Sequence, residues 1–157
     1  MSDTSKDRKL TPIRDRALAY LARREHTRLE LDRKLALAGY TEEDIEALLD
    51  ELTQRGWLSN QRFAESYVQQ KQQRFGPLKL AHELRGRGVD ESTVQQALST
   101  GKESELERAR EVWKKRFGIP PANALEKAKQ MRFLQGRGFS PNIIRCVVSH
   151  TASDEPD

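Results

Sequence analysis

Lysine and arginine are the residues of this chain whose type and spacing could do chemistry. Residues 59–150 hold 17 of them against 9 Asp and Glu, whereas residues 1–58 hold 11 against 12. Such a basic stretch attracts phosphates or an acidic protein face. In the middle of the chain the candidates are Arg62, Lys71, Arg74, Lys79, Arg85 and Arg87, with Lys71, Arg74 and Lys79 flanking the Gly76-Pro77 break. Further on, Arg108, Lys114, Lys115, Arg116, Lys127, Lys129, Arg132 and Arg137 extend the field. Helical Lys and Arg ordinarily lay their stems on apolar surface and keep their heads in water. The collective field is therefore a better candidate for partner or DNA binding than any one member, and Arg62 also suits a structural tie between neighbouring units.

Catalytic chemistry is not indicated. His26, His82 and His150 are isolated, without metal-ligand spacing. Glu42, Glu43, Asp44, Asp50 and Glu51 sit at helix starts and exposed faces, where acids complement the helix dipole or are simply solvated. Gly86-Arg87-Gly88 and Gly136-Arg137-Gly138 lack the strand-then-helix context of a nucleotide loop. The reading is a protein that is not an enzyme and has no metal or cofactor. Trp57 and Phe63 could stack on bases, but their positions beside a helix-ending glycine and on an apolar stripe predict core. The lone Cys146 reads as a small buried hydrophobe in a reducing compartment. No run approaches a membrane span and the N-terminus has no secretory apolar core, so a cytoplasmic protein is expected.

The elements that must carry these side chains are helices. Hydrophobic residues make up 36% and charged residues 33%, thin for one compact globule of 157 residues but enough for helices that each bury one stripe. Residues 1–10 are expected to be disordered. Thr11 caps a first helix with Pro12 at its first position and Ile13, Ala17, Tyr20 and Leu21 on one face. Thr27 and Glu30 form a capping box for a second helix burying Leu31 and Leu35, closed by Gly39. Thr41 opens a third, with Ile45, Leu48, Leu49 and Leu52 inward, closed by Gly56. Ser59 caps the next, with Phe63, Tyr67 and Val68 inward. Gly76 stops it, and Pro77 starts a helix carrying Leu80 and Leu84 to Gly88. Asp90 caps a helix burying Val94, Ala97 and Leu98. From about Glu103, Leu106, Ala109, Trp113 and Phe117 make a face that Gly118 and Pro120-Pro121 end. A helix from about Ala122 to Gln135 turns Ala128, Met131 and Leu134 inward, and Gly136 and Gly138 close it. Ser140-Pro141 starts the last helix, with Ile144, Val147 and Val148 buried, and the acidic tail 151–157 is expected to fray.

The pattern repeats. Leu35, Gly39, Thr41, Ile45, Leu48 and Leu49 find counterparts in Leu84, Gly88, Asp90, Val94, Ala97 and Leu98, and again in Leu134, Gly138, Ser140, Ile144, Val147 and Val148. The glycines lie 49 and 50 residues apart, a period that marks a stacked array. The fold class expected is all-α, with three tandem three-helix repeats at 11–58, 59–101 and 102–150 in an elongated, curved array. The loops at Thr100–Lys102 and Gly118–Pro121 are expected to flex.

The most specific residues are Gly56-Trp57-Leu58, Arg62-Phe63-Ala64 and Tyr67-Val68, followed by Gly76-Pro77, Lys79, Glu83-Leu84 and Arg87-Gly88-Val89. Together with Glu30-Leu31, Lys34-Leu35, Arg132-Phe133-Leu134 and Arg137-Gly138-Phe139, they resemble the RecX family of bacterial recombinase regulators over residues 13–148. Ser59-Asn60 stand where that family usually has acids; both can cap a helix. The resemblance implies a regulatory protein of DNA repair, homologous recombination and the SOS response. It would bind the RecA recombinase and RecA–DNA filaments, inhibiting ATP hydrolysis, strand exchange and coprotease activity. Single- and double-stranded DNA would be weak partners, and the protein a monomer.

A competing reading is a DNA-binding helical repeat protein without sequence specificity. Three-helix units also frame helix-turn-helix readers. The third helices here, Glu42–Arg55 and Glu91–Ser99, begin with acids that phosphates would repel, which argues against base-specific reading.

Overall fold

Short polar caps, glycines and first-turn prolines punctuate the chain, and between them the apolar residues return at helical spacing. A computed structural model of the protein describes residues 11–100 and 103–153, which contain helices and no strand. The helices are α1 (Ile13–Arg23), α2 (Arg28–Leu37), α3 (Glu42–Gln54), α4 (Asn60–Lys71), α5 (Pro77–Gly86), α6 (Glu91–Ser99), α7 (Glu105–Arg116), α8 (Ala124–Gly136) and α9 (Pro141–Ser153). The expected disorder at 1–10, the loop residues 101–102 and the tail from 154 lie outside the described residues. Helix α9 reaches Ser153, three residues into the tail expected to fray.

Helix starts follow the sequence closely. Thr27, Thr41, Asp90, Ser104 and Asn123 each accept an amide from the third residue onward, and Thr27 with Glu30 completes a capping box. The Ser59 hydroxyl accepts the Arg62 amide at 3.1 Å. Thr11 does not cap α1. Pro12 is extended and its carbonyl accepts the first helical bond, from Arg16 at 3.1 Å, so the helix starts one residue late.

The chain forms two compact units. The first holds the described residues up to Phe63 together with Arg87–Val89; the second holds Ala64–Gly86 and the described residues from Asp90 on. In the first, α1, α2 and α3 pack together around Ala17, Leu31, Leu35, Ile45, Leu48, Leu49, Leu52 and Leu58. In the second, α7, α8 and α9 enclose Ala109, Trp113, Leu134, Phe139, Ile144, Val147 and Val148. There too α5 packs on α6, with Leu80, Ala81, Leu84, Val94 and Ala97 buried. Fully burying a side chain of this size contributes about 1.5–3 kcal/mol.

Four inward assignments change. Ala128 is exposed; α8 turns Gln130, Met131 and Leu134 inward instead. Gln130 is held there because its side-chain oxygen accepts the Trp113 indole N–H at 2.8 Å and its amide donates to the Ile119 carbonyl at 3.1 Å. Leu98 is only half-buried. Cys146 is exposed; two residues beyond Ile144 it falls on the far side of the helix from the 144/147/148 stripe. Trp57 is 43% exposed rather than core, with the guanidinium groups of Arg14 and Arg55 at 5.5 and 5.2 Å from its ring. Phe63 is buried as expected. Gly76 is not the stop of α4, which ends five residues earlier at Lys71. Its smallness serves a close approach instead.

Candidate functional site

Two helix-ending turns, one in each unit, each receive the start of another helix, through different contacts. In the first unit the turn is Arg87-Gly88 and the incoming start is Thr27-Arg28-Leu29-Glu30. The Thr27 hydroxyl donates to the Arg87 carbonyl at 2.7 Å. Gly88 has φ +86°, and a Cβ there would lie 2.8 Å from the Leu29 Cβ. In the second unit the turn is Arg137-Gly138 and the incoming start is Gly76-Pro77-Leu78-Lys79. Gly76 N–H donates to the Arg137 carbonyl at 2.7 Å, and Leu78 N–H to the Gly138 carbonyl at 3.0 Å. A Cβ on Gly138 would lie 2.3 Å from the Lys79 Cβ, and one on Gly76 only 2.4 Å from the Gly138 carbonyl oxygen. Both junctions set an Arg-Gly turn against a helix start, with the 49- to 50-residue period of the glycines, but the first is tied through a side-chain hydroxyl and the second through two main-chain amides, and the turn glycine faces Leu29 in one and Lys79 in the other.

Their electrostatics differ. At the first junction Glu30 takes bonds from Arg24 at 2.9 and 3.2 Å and lies 3.5 Å from Arg87. Burial works to raise its carboxyl, but hydrogen bonds from Arg24 and the Thr27 amide, with the charges of Arg24 and Arg87, outweigh it and hold the group below its ordinary value. At the second junction the third helical residue is Lys79, where α2 has Glu30, and it is Lys79 that lies against the turn glycine, as Leu29 does at the first. Around Phe75 stand Lys79 at 4.5 Å, Arg137 at 5.4 Å and Arg74 at 5.7 Å from the ring centroid. Arg137 reaches Phe133 as well, at 5.0 Å, and Arg116 approaches the same ring at 5.4 Å. The Arg137 guanidinium also donates to the Arg74 carbonyl at 3.2 Å.

The structure thus sorts the basic candidates. Arg74, Lys79, Arg116 and Arg137 come together. Lys71 lies 4.6 Å from the centre of the Tyr67 ring. Lys114, Lys115, Lys127, Lys129 and Arg132 are exposed along α7 and α8. Arg85 is engaged by Glu91 through two 2.6 Å bonds, and Arg87 pairs with Glu30. Arg62 binds the Glu25 carboxylate at 2.6 and 3.3 Å and donates to the Gly56 and Trp57 carbonyls, closing the C-terminal end of α3. Arg108 does not belong to the surface field: it is buried, and one of its amino groups donates to the Glu103 carbonyl at 2.6 Å.

Sequence reasoning gave neither Phe75 nor Phe133 a place in the site, although Phe133 stands among the residues of the family resemblance. Their signal was present: each is flanked by arginine, in Arg74-Phe75-Gly76 and in Arg132-Phe133, and the latter is followed by Arg137 one turn on. His26 is buried, with one ring nitrogen 3.0 Å from the Arg24 carbonyl and the other 2.7 Å from Lys34. Burial, chiefly, pushes it below its ordinary value. His82 is exposed. Among the described residues no three His, Cys, Asp or Glu side chains are grouped to hold a metal ion, and no helix is long and apolar enough to cross a membrane.

Comparison with known proteins gives concordant results. Residues 14–52 match the profile of the RecX first three-helix domain, residues 59–98 that of the second and residues 103–148 that of the third. The chain is 47% identical over 136 residues to "Regulatory protein RecX" of Leptothrix cholodnii, covering 87% of each protein. It is 46% identical to the protein of the same name from Chromobacterium violaceum, covering 91% of this chain and 93% of that one. The fold is similar to the crystal structure of RecX from Lactobacillus salivarius, with a TM-score of 0.77, 23% identity, and coverage of 89% of this chain and 94% of that one.

Proposed function

The chain belongs to the RecX family of regulatory proteins, and from that premise we propose that it binds the RecA recombinase and its DNA filament and inhibits filament ATP hydrolysis, strand exchange and coprotease activity. What carries the reading is the family match across all three helical repeats. The cations of the second unit support it, since a surplus of positive charge suits a filament of acidic protein and DNA. The protein acts by binding, as a regulator rather than an enzyme, and as a monomer in the cytoplasm. Bridging neighbouring RecA subunits would hold one filament state and hinder nucleotide turnover.

DNA affinity without sequence preference is the second reading. The acids Glu42, Glu43 and Asp44 in the first turn of α3, and Glu91 in that of α6, favour the protein-regulator reading, because phosphates avoid such helix starts. The deciding experiment is ATP hydrolysis by a preformed RecA–single-stranded DNA filament with this protein added below stoichiometry. A fall in rate is expected. An unchanged rate at stoichiometric excess, with DNA binding intact, would leave only the second reading.

A further inference from the structure

Both junctions seat a helix start on an Arg-Gly turn, and they differ in charge. The third residue of the incoming helix is Glu30 at the first and Lys79 at the second. Glu30 pairs with both Arg24 and Arg87. Among the described residues no carboxylate forms an ion pair with Arg74, Lys79, Arg116 or Arg137. From their distances to the Phe75 centroid, Lys79 and Arg137 are at most about 10 Å apart, comparable with the Debye length of about 8 Å at physiological ionic strength, so salt screens their repulsion only in part.

Arg137 is held in advance. The Arg137 backbone is tied to Gly76 and its guanidinium to the Arg74 carbonyl, so a ligand meets that charge already in place and less ordering is left to oppose binding. Phe75 already carries three cations and Phe133 two, which leaves the rings poorly suited to stacking a base. An acidic peptide would need an apolar pocket for an anchor side chain, and these rings are occupied. Three guanidinium groups and one ammonium fit phosphodiester oxygens.

We propose that the second junction is a phosphodiester-binding site that takes the backbone of a nucleic-acid strand, and that occupation tightens the contact of Gly76 and Leu78 with Arg137 and Gly138. The bound anion removes the repulsion among Arg74, Lys79 and Arg137 across that contact. This deepens the partner-binding reading by naming what one part of the basic surface takes. Its test contains no RecA, so the two stand or fall separately.

The probe is fluorescently labelled oligo(dT), bound to the full chain and followed by anisotropy over a salt series. Lys79→Glu copies the acid of the first junction into the second; it is no bulkier, and an acid in the first turn suits the dipole of α5. The variant is expected to melt no earlier than the parent and to bind about tenfold more weakly at physiological salt, its log–log salt slope falling by roughly 0.7 for each phosphate the protein ceases to neutralise. Arg33→Glu, on an exposed position of α2, makes the same change in net charge and is expected to leave affinity within about twofold. In the parent, oligo(dT) is expected to slow hydrogen exchange at the Gly76 and Leu78 amides. Unchanged affinity and slope in folded Lys79→Glu, or an equal loss in Arg33→Glu, overturns the site. Unchanged exchange overturns the tightening. Displacement of oligo(dT) by polyglutamate at equal charge concentration overturns the phosphodiester assignment in favour of an acidic peptide. Arg116→Glu, at the exposed edge, repeats the affinity measurement if Lys79→Glu is destabilised.

Discussion

The main-chain amide of Gly76 donates to the carbonyl oxygen of Arg137 at 2.7 Å, and the approach is so close that a Cβ on Gly76 would meet the Gly138 carbonyl oxygen at 2.4 Å. The obstacle is backbone on both sides, so no side chain can swing away. Gly76→Ala is therefore expected to separate the α4–α5 connection from the Arg137-Gly138 turn and to cost about 1–3 kcal/mol, as overpacking does. Urea denaturation measures it. Gly86→Ala is the reference, because a Cβ there meets nothing within 4 Å; equal effects at the two positions would show that the contact is slack.

Gln130 is buried between Trp113 and Ile119, and its carbonyl is the acceptor for the Trp113 indole. Gln130→Met keeps the volume and removes both bonds. Leaving a buried donor unpaired is expected to cost about 1–3 kcal/mol. Trp113→Phe removes the orphaned donor, so the double variant should lose less than the sum of the single ones. Additive losses in thermal or urea melts would place the stabilisation in packing rather than in the bond.

The stripes that bury Leu31, Leu35, Ile45, Leu49, Leu134, Ile144 and Val147 were legible because helical spacing alone sets them. So were the caps at Thr27, Thr41 and Asp90, which are local chemistry. Gln130 was not legible, since its burial depends on a partner 17 residues away in sequence. Nor was the use of Gly76, which resembles a helix stop in sequence and acts through contact with residues some sixty positions on. For the site, the surplus of cations could be counted but not sorted. Arg85 and Arg87 differ from Arg74 and Arg137 only in which carboxylates the fold brings to them. The exchange of Glu30 for Lys79 at the third helical position acquires meaning once both helix starts are seen to meet an Arg-Gly turn.

Arg85 grips the Glu91 carboxylate through two 2.6 Å bonds, and the hydrogen bond from Arg85, then that from Gln95, hold the Glu91 carboxyl down at about 2. A carboxyl depressed in the folded state contributes stability above its unfolded value, near 4.5, and loses it as the pH falls through the folded one. The contribution should fade between about pH 4.5 and 2 and be constant at neutral pH. Arg85→Ala is expected to return Glu91 toward the ordinary carboxylate range, which an NMR titration of its side-chain carbon reads directly. A titration unchanged by the substitution would mean that the pair is not formed in solution.

Lys71, Arg74 and Lys79 flank one break in the chain, yet they stand in two settings. Arg74 and Lys79 share Phe75, while Lys71 lies over Tyr67. Reversing all three charges leaves the buried residues of α5 and α6 untouched, so the protein should keep its helical content and cooperative melt. Inhibition of RecA filament ATP hydrolysis should weaken, with the midpoint moving to at least about tenfold higher protein, since charge reversal in a steered interface slows association and costs affinity. Reversal of Lys71 alone should account for the smaller part, because it lies outside the Phe75 cluster. Full inhibition by a folded triple variant would remove this break from the contact surface and move attention to the exposed lysines of α7 and α8.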